Sequence, residues 1–261
     1  GAMHPQIKSK GTNRVHVMTS RFTRRILVVL HQAHSSPGRV GQELIRRGYE
    51  LDMRRHALGD PLPATLDEHD GAIIFGGPMS ANDDLPFVRD EIRWISNVAL
   101  PSDKPYFGIC LGGQMLAKSL GARVYGREDQ RCEVGYFPIR PTAAGADLFD
   151  NPQHVYQWHV EGFDLPCGAT MLAEGKDFPV QAMRYGNNAY GIQFHPELTT
   201  PMMKLWLEHA SHRLVLPGAQ AAELHYEGRA AHDLSLRHWL SRFLDRWLPQ
   251  SADTGSAAIL A

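Results

Sequence analysis

Cys110 stands in Gly108-Ile109-Cys110-Leu111-Gly112, with glycine two residues before it and two after. An apolar run precedes it and a helical pattern begins near Leu111, so the cysteine falls on a sharp strand-to-helix turn. Such a turn presses neighbouring chain together, so the bracketing side chains must be minimal while the nucleophile is pushed outward. The N–H groups and positive dipole end of the following helix favour thiolate over thiol. The same pattern also fits a buried, inert cysteine, and the local sequence leaves both readings open. Cys132 and Cys167 lack the glycine bracket and read as inert.

A partner for such a thiolate can be sought in Gly191-Ile192-Gln193-Phe194-His195-Pro196-Glu197. In extended chain, residues i and i+2 project to the same side, and Pro196 biases His195 away from the helical region. His195 and Glu197 can therefore lie together as a base and the carboxylate that fixes its tautomer. A solvated histidine and glutamate at a strand end is the plainer alternative. Gly76-Gly77 follows another apolar run. A glycine pair there lets backbone N–H groups approach a ligand, and an N–H from this turn with that of Leu111 could form an oxyanion hole. An ordinary turn fits the glycine pair as well.

These residues need elements to hold them. Ile26-Leu27-Val28-Val29-Leu30, Ala72-Ile73-Ile74-Phe75 and Pro105-Tyr106-Phe107-Gly108-Ile109 are continuous apolar runs of the kind buried on both faces of a parallel sheet. Between them, helices are expected from Gly38 to Gly48 and from about Pro86 to Val98, with a strand over Tyr49 to Met53. This rhythm predicts an α/β fold with a mainly parallel, flavodoxin-like sheet flanked by helices, whose ligands gather at the carboxyl ends of the strands. After a helix from Leu111, extended segments near 123–126, 133–139, 154–160, 169–173, 180–185 and 189–194 predict added antiparallel strands. Gly186-Asn187-Asn188 supplies the last turn. Helical patterns return over 201–212 and 233–247.

A chain of 261 residues, 43% of them hydrophobic, can bury a full core, and it reads as one domain over 25–248. Gly1-Ala2 reads as a tag remnant and the rest of 1–24 as a polar extension, with Met18 a possible natural start; 249–261 reads as a tail. With a net charge of −1 there is no global basic field to collect nucleic acid or anionic membranes. Three widely spaced cysteines fit neither a disulfide framework nor a paired zinc pattern, which points to a reducing compartment. Neither a run of about 20 apolar residues nor a secretory signal is visible, so the expected location is cytoplasmic. No metal or cofactor is expected.

The Gly-Gly turn, the cysteine elbow and His-Pro-Glu occur in the order that resembles the class I glutamine amidotransferase family. The matching stretches are 73–82, 105–125, 133–136, 157–173 and 189–198. Within the family, Gly-Gly-Pro-Met-Ser-Ala-Asn-Asp and Gln-Trp-His-Val-Glu-Gly-Phe are most similar to stand-alone proteins like the amidotransferase domain of GMP synthetase. The resemblance implies that Cys110 attacks the γ-amide of glutamine to give a thioester, that His195 moves protons and that Glu197 orients it. It implies that Gln114 contacts the substrate and that Trp158 and His159 border it, although packed strand residues would account for the last two equally. Gly113 replaces a histidine found in several relatives.

Ammonia would pass to an unidentified acceptor, such as a separate synthase, or be released freely. Activity in isolation could be low, because many relatives complete the oxyanion hole only with a partner. A γ-glutamyl hydrolase acting on a peptide or conjugate uses the same triad and is the main alternative. A non-catalytic binding protein on this scaffold would be expected to have lost a triad member, and a cysteine peptidase or chaperone-like relative would place its histidine differently.

Overall fold

The computed structural model describes residues 24–149 and 151–249; the expected tag remnant with most of the polar extension, and nearly all of the tail, lie outside the described residues. Apolar runs become strands at the expected places: β1 (Arg24–Val29), β2 (Tyr49–Arg54), β3 (Gly71–Ile74) and β4 (Tyr106–Ile109). Between and after them stand α1 (Gly38–Arg46), α2 (Pro86–Trp94) and α3 (Leu111–Ser119). The second half of the chain supplies β5 (Val124–Gly126), β6 (Glu133–Pro141), β7 (Gln153–His159), β8 (Glu161–Phe163), β9 (Ala169–Glu174), β10 (Val180–Tyr185) and β11 (Ala189–Ile192). Two helices follow among the described residues, α4 (Thr200–His209) and α5 (Ala222–Trp247).

Among the described residues, nine strands form one sheet in the order β2-β1-β3-β4-β11-β10-β9-β6-β7. The first five are parallel, in the doubly wound arrangement, and β10, β9, β6 and β7 extend the sheet antiparallel from β11. The small pair β5 and β8 stands apart. The expected α/β fold with its parallel sheet and antiparallel addition is present, with two corrections: β11, expected among the antiparallel strands, pairs parallel with β4 and completes the parallel half, and β5 pairs only with β8 outside the main sheet.

Alternation along the strands divides the core into two layers. Ile26, Val28, Ile73, Phe107 and Ile192 face α1 and α5, where they meet Val40, Leu44, Trp239 and Phe243. Leu27, Val29, Ala72, Ile74 and Tyr106 face α2 and α3, where they meet Val88, Trp94, Met115 and Leu116. On the first side an aromatic stack runs down α5: Trp239 and Phe243 lie 5.1 Å apart, Phe243 packs 4.4 Å from Phe107, and the Trp247 indole N–H donates to the Tyr106 carbonyl at 3.0 Å. No helix among the described residues is long and apolar enough to cross a membrane.

Two helices depart from expectation. α5 begins at Ala222, eleven residues before the expected start at 233, because its first half is held by polar and small residues rather than an apolar stripe. His225 is buried between the Tyr156 hydroxyl (2.9 Å) and the Gln220 carbonyl (3.0 Å), and a side chain on Gly228 would collide with Tyr136. The helix expected over 86–98 is α-helical only to Trp94 and continues as a π turn, Ile95–Ala99.

Trp239 is fully buried at the centre of this layer. Trp239→Ala should lower the unfolding free energy by about 3–5 kcal/mol in urea denaturation, while Leu234→Ala, on the exposed side of the same helix, should change it by no more than about 0.5 kcal/mol.

Candidate active site

The carboxyl ends of β1, β3, β4 and β11 lie side by side, and Gly76, Gly77, Cys110, Leu111, His195 and Glu197 sit just beyond them, whereas Gln114 lies within α3 and Trp158 and His159 end β7. Cys110 follows β4 with φ 53° and ψ −106°, a left-handed backbone that a non-glycine residue holds at a cost of about 1–3 kcal/mol. The surroundings impose it: the Cys110 N–H donates to Ile192 at 2.8 Å, and the Cys110 carbonyl accepts from the Gln114 N–H at 2.9 Å. Glycine is required on both sides. A side chain on Gly108 would strike the main chain of Gly112 and Gly113, and one on Gly112 would strike the Ile74 carbonyl. Gly113 is similarly confined, with a built Cβ 2.7 Å from the Ile192 carbonyl oxygen. The position read as a departure from relatives is therefore a point where α3 presses on β11. Leu111 is the first residue of α3, so its N–H has no acceptor within the helix.

His195 is anchored by its own N–H, which donates to the Tyr156 carbonyl at 2.8 Å. Its Nδ1–H donates to Glu197 Oε2 at 2.9 Å, as the i, i+2 spacing predicts. Nε2, on the other side of the ring, completes no hydrogen bond among the described residues. Burial works against the imidazolium, but the Glu197 carboxylate and the nearby Cys110 sulfur outweigh it and hold the His195 pKa well above 6.5. The Trp206 ring packs edge-on, 5.0 Å from the imidazole. The Glu197 carbonyl caps α1 by accepting the Arg39 N–H at 2.8 Å, so the turn after Pro196 is tied to that helix.

Gly76 borders both groups: a Cβ built on it would lie 3.1 Å from His195 Cε1 and 3.5 Å from Cys110 Cβ. Gly77 lies one residue further from β3, with His31 and Met79 against it. Gln114 is buried, and its amide donates to the Glu161 carbonyl (2.8 Å) and to Gln193 Oε1 (3.3 Å). His159 has both ring nitrogens engaged, with the Glu161 carbonyl (2.7 Å) and with the buried Glu133 carboxylate (2.8 Å), and so presents no free nitrogen to a ligand. Trp158 reaches the site through its backbone, its carbonyl 3.7 Å from the Cys110 sulfur. Cys132 is buried, which pushes its thiol pKa up, and Cys167 is exposed.

Gln193 and Trp206, beside Cys110 and His195, were not singled out from the sequence. Gln193 is fully buried and its amide lies 3.5 Å from Cys110 Sγ. It shares the i, i+2 spacing of His195 and Glu197, a signal that could have found it. Trp206, on α4, carried no such signal.

Replacing the Glu197 carboxylate in Glu197→Gln removes the chief influence that holds the imidazolium. The His195 ring should then titrate at a lower pH than in the native protein. NMR of the imidazole nitrogens across pH measures this directly, and an unchanged midpoint would show that Glu197 does not set the charge of the ring.

The model for Glutamine amidotransferase class-I matches residues 37–209, a span that includes Cys110, His195 and Glu197. The chain is 32% identical over 231 residues to the glutamine amidotransferase-like protein YfeJ of Salmonella typhimurium, covering 85% of this chain and 96% of that protein. It is 30% identical over 137 residues to one subunit of the glutamine-hydrolysing GMP synthase of Sulfolobus acidocaldarius, covering 51% of this chain and 70% of that subunit. A crystal structure of a glutamine amidotransferase from Methylobacillus flagellatus superimposes with a TM-score of 0.81 at 26% identity, covering 88% of this chain and 97% of that one. The chain belongs to the class I glutamine amidotransferase family.

Proposed function

We propose that this chain hydrolyses the γ-amide of glutamine, with Cys110 as nucleophile, His195 as acid and base, and Glu197 as the group that orients it. The observation that carries this reading is the imidazole itself: Nδ1 is fixed by Glu197, while Nε2 has no hydrogen-bond partner among the described residues and the Cys110 sulfur lies close enough to act on the charge of the ring. In this reading the thiolate attacks the γ-carbonyl carbon, and the oxyanion is received by the N–H groups of Leu111 and the Gly76-Gly77 turn. The imidazolium gives its proton to the departing nitrogen, so ammonia leaves and a γ-glutamyl thioester remains. His195 then takes a proton from water, hydroxide attacks the thioester, and glutamate leaves as the thiolate is restored. Gln114 Oε1, which makes no hydrogen bond among the described residues, is available to a substrate N–H. Residues 25–248 are read as the single domain that performs this reaction.

The fate of the ammonia follows from a partner if there is one. A relative that is a GMP synthase subunit supports a separate acceptor synthase as one possibility. Release into solution is the other.

Incubation with 6-diazo-5-oxo-L-norleucine, followed by intact-mass spectrometry, should add a single label to the wild type and none to Cys110→Ala. His195→Ala should lower the glutaminase kcat by about 10²–10⁴-fold, and Glu197→Gln by less. Equal turnover in Cys110→Ala and wild type would end this reading. If γ-glutamyl conjugates are turned over while glutamine is not, the chemistry stands and the substrate becomes a γ-glutamyl peptide or conjugate.

A further inference from the structure

His31 and Glu91 form a buried pair that the mechanism above does not use. His31 lies just beyond the carboxyl end of β1, and Glu91 projects from α2; both side chains are wholly shut off from solvent. His31 Nε2 is 2.7 Å from Glu91 Oε1, and Nδ1 is 2.9 Å from the carbonyl oxygen of Gly76. A carbonyl oxygen can only accept, so Nδ1 carries a proton and donates it to Gly76. Burial opposes charge on this ring, but the hydrogen bond to Glu91, its charge and the Gly76 carbonyl together raise the His31 pKa above 6.5. Glu91 Oε2 finds no partner among the described residues. A buried carboxylate that is half satisfied is a poor way to stabilise a core, since apolar residues of similar volume fill such a space at no loss. The pair needs another explanation.

The Gly76-Gly77 peptide supplies one. No described peptide bond is cis, so the Gly76 carbonyl and the Gly77 N–H point in opposite directions. Anchoring the carbonyl on His31 turns the N–H away from His31. The turn sits between the pair and the reacting groups: a Cβ on Gly77 would lie 3.1 Å from His31 Cβ, whereas one on Gly76 would lie 3.1 Å from His195 Cε1. Two consecutive glycines offer little intrinsic resistance to rotation of the peptide between them. If it turned over, a carbonyl oxygen would replace the N–H and repel the developing oxyanion.

We propose that His31, held by Glu91, is a positioning residue that locks the Gly76-Gly77 peptide with the Gly77 N–H toward the reacting carbonyl, so that the oxyanion hole is complete without a partner protein. This rests on the hydrolase reading above and makes the isolated chain a competent amide hydrolase.

The test uses the full chain with no second protein. Glutamate release from L-glutamine is followed for wild type, for the double variant His31→Phe/Glu91→Met, which replaces the pair with apolar side chains, and for Glu91→Gln. The amide that Glu91→Gln introduces can still donate to Nε2 and leave the Nδ1 proton on Gly76. Thermal midpoints and the rate of Cys110 alkylation by iodoacetamide are measured in parallel, because displacement at a saturated carbon forms no oxyanion.

The expected result for the double variant is a kcat lower by about 100-fold, with KM, alkylation rate and thermal midpoint near or above wild type, and recovery of most turnover in Glu91→Gln. A wild-type kcat in the double variant overturns the proposal, as does a parallel collapse of alkylation or thermal midpoint, which would assign the pair to stability. A wild type that takes the diazo-oxo-norleucine label on Cys110 but releases glutamate from neither glutamine nor γ-glutamyl conjugates keeps the γ-glutamyl reading and overturns the preformed hole. A wild type with neither label nor turnover removes both.

Discussion

Parallel pairing of β1, β3, β4 and β11 is the constraint from which the site follows. Their ladders run in register without a bulge, from Val29 beside Ile74, through Ile74 beside Gly108, to Ile109 beside Ile192. Strands paired in this way all finish at one edge of the sheet, and the residues immediately beyond their ends are forced into company: His31, Gly76, Cys110 and His195. None of these is close to another in sequence. A one-residue slip in any of the three ladders would turn its terminal side chain to the opposite layer. Because both faces of these strands are buried in dense apolar layers, such a slip is opposed along the whole length of the strand.

Three histidines at this edge are each fixed by a buried carboxylate, and the arrangement differs in what the second nitrogen does. His195 Nε2 has no hydrogen-bond partner among the described residues, His31 Nδ1 holds the Gly76 carbonyl, and His159 Nδ1 holds the Glu161 carbonyl. The carboxylates Glu197, Glu91 and Glu133 determine ring orientation in each case. Buried pairs of this kind contribute little net stability, since desolvation offsets most of the attraction. Their return is geometric. Gln181 extends the third pair, donating to Glu133 at 3.0 Å and accepting from Gln157 at 2.6 Å, so the polar layer continues under the antiparallel strands.

Much of this was legible in the sequence, and what was not has a common reason. Continuous apolar runs gave β1, β3 and β4 because a strand buried on both faces has no polar side to disguise it; β11, short and joined to β10 by a hairpin turn, read as one more antiparallel strand although it pairs parallel with β4. The elbow and His-Pro-Glu were legible because their geometry is local: bracketing glycines, and i, i+2 alternation before a proline. His31 and Glu91 were not, because sixty residues separate them and neither stands in a local pattern; only the packing of α2 on the sheet brings them together. The first half of α5 was hidden for a related reason. Its inward face is built from His225 and Gly228, which pack through a hydrogen bond and through the absence of a side chain, and neither contributes to apolar periodicity.

The left-handed backbone at Cys110 has an evolutionary corollary. Glycine would occupy that conformation without strain, so the position is one where the fold by itself would favour the loss of the thiol. If Cys110 is the nucleophile proposed above, its side chain is kept against a local backbone preference, and a copy released from demand on that chemistry could exchange it for glycine with relief of the backbone strain. Persistence of a side chain at this φ in a lineage therefore reports continuing selection for reactivity more directly than persistence of the surrounding glycines, which the architecture would retain in either case.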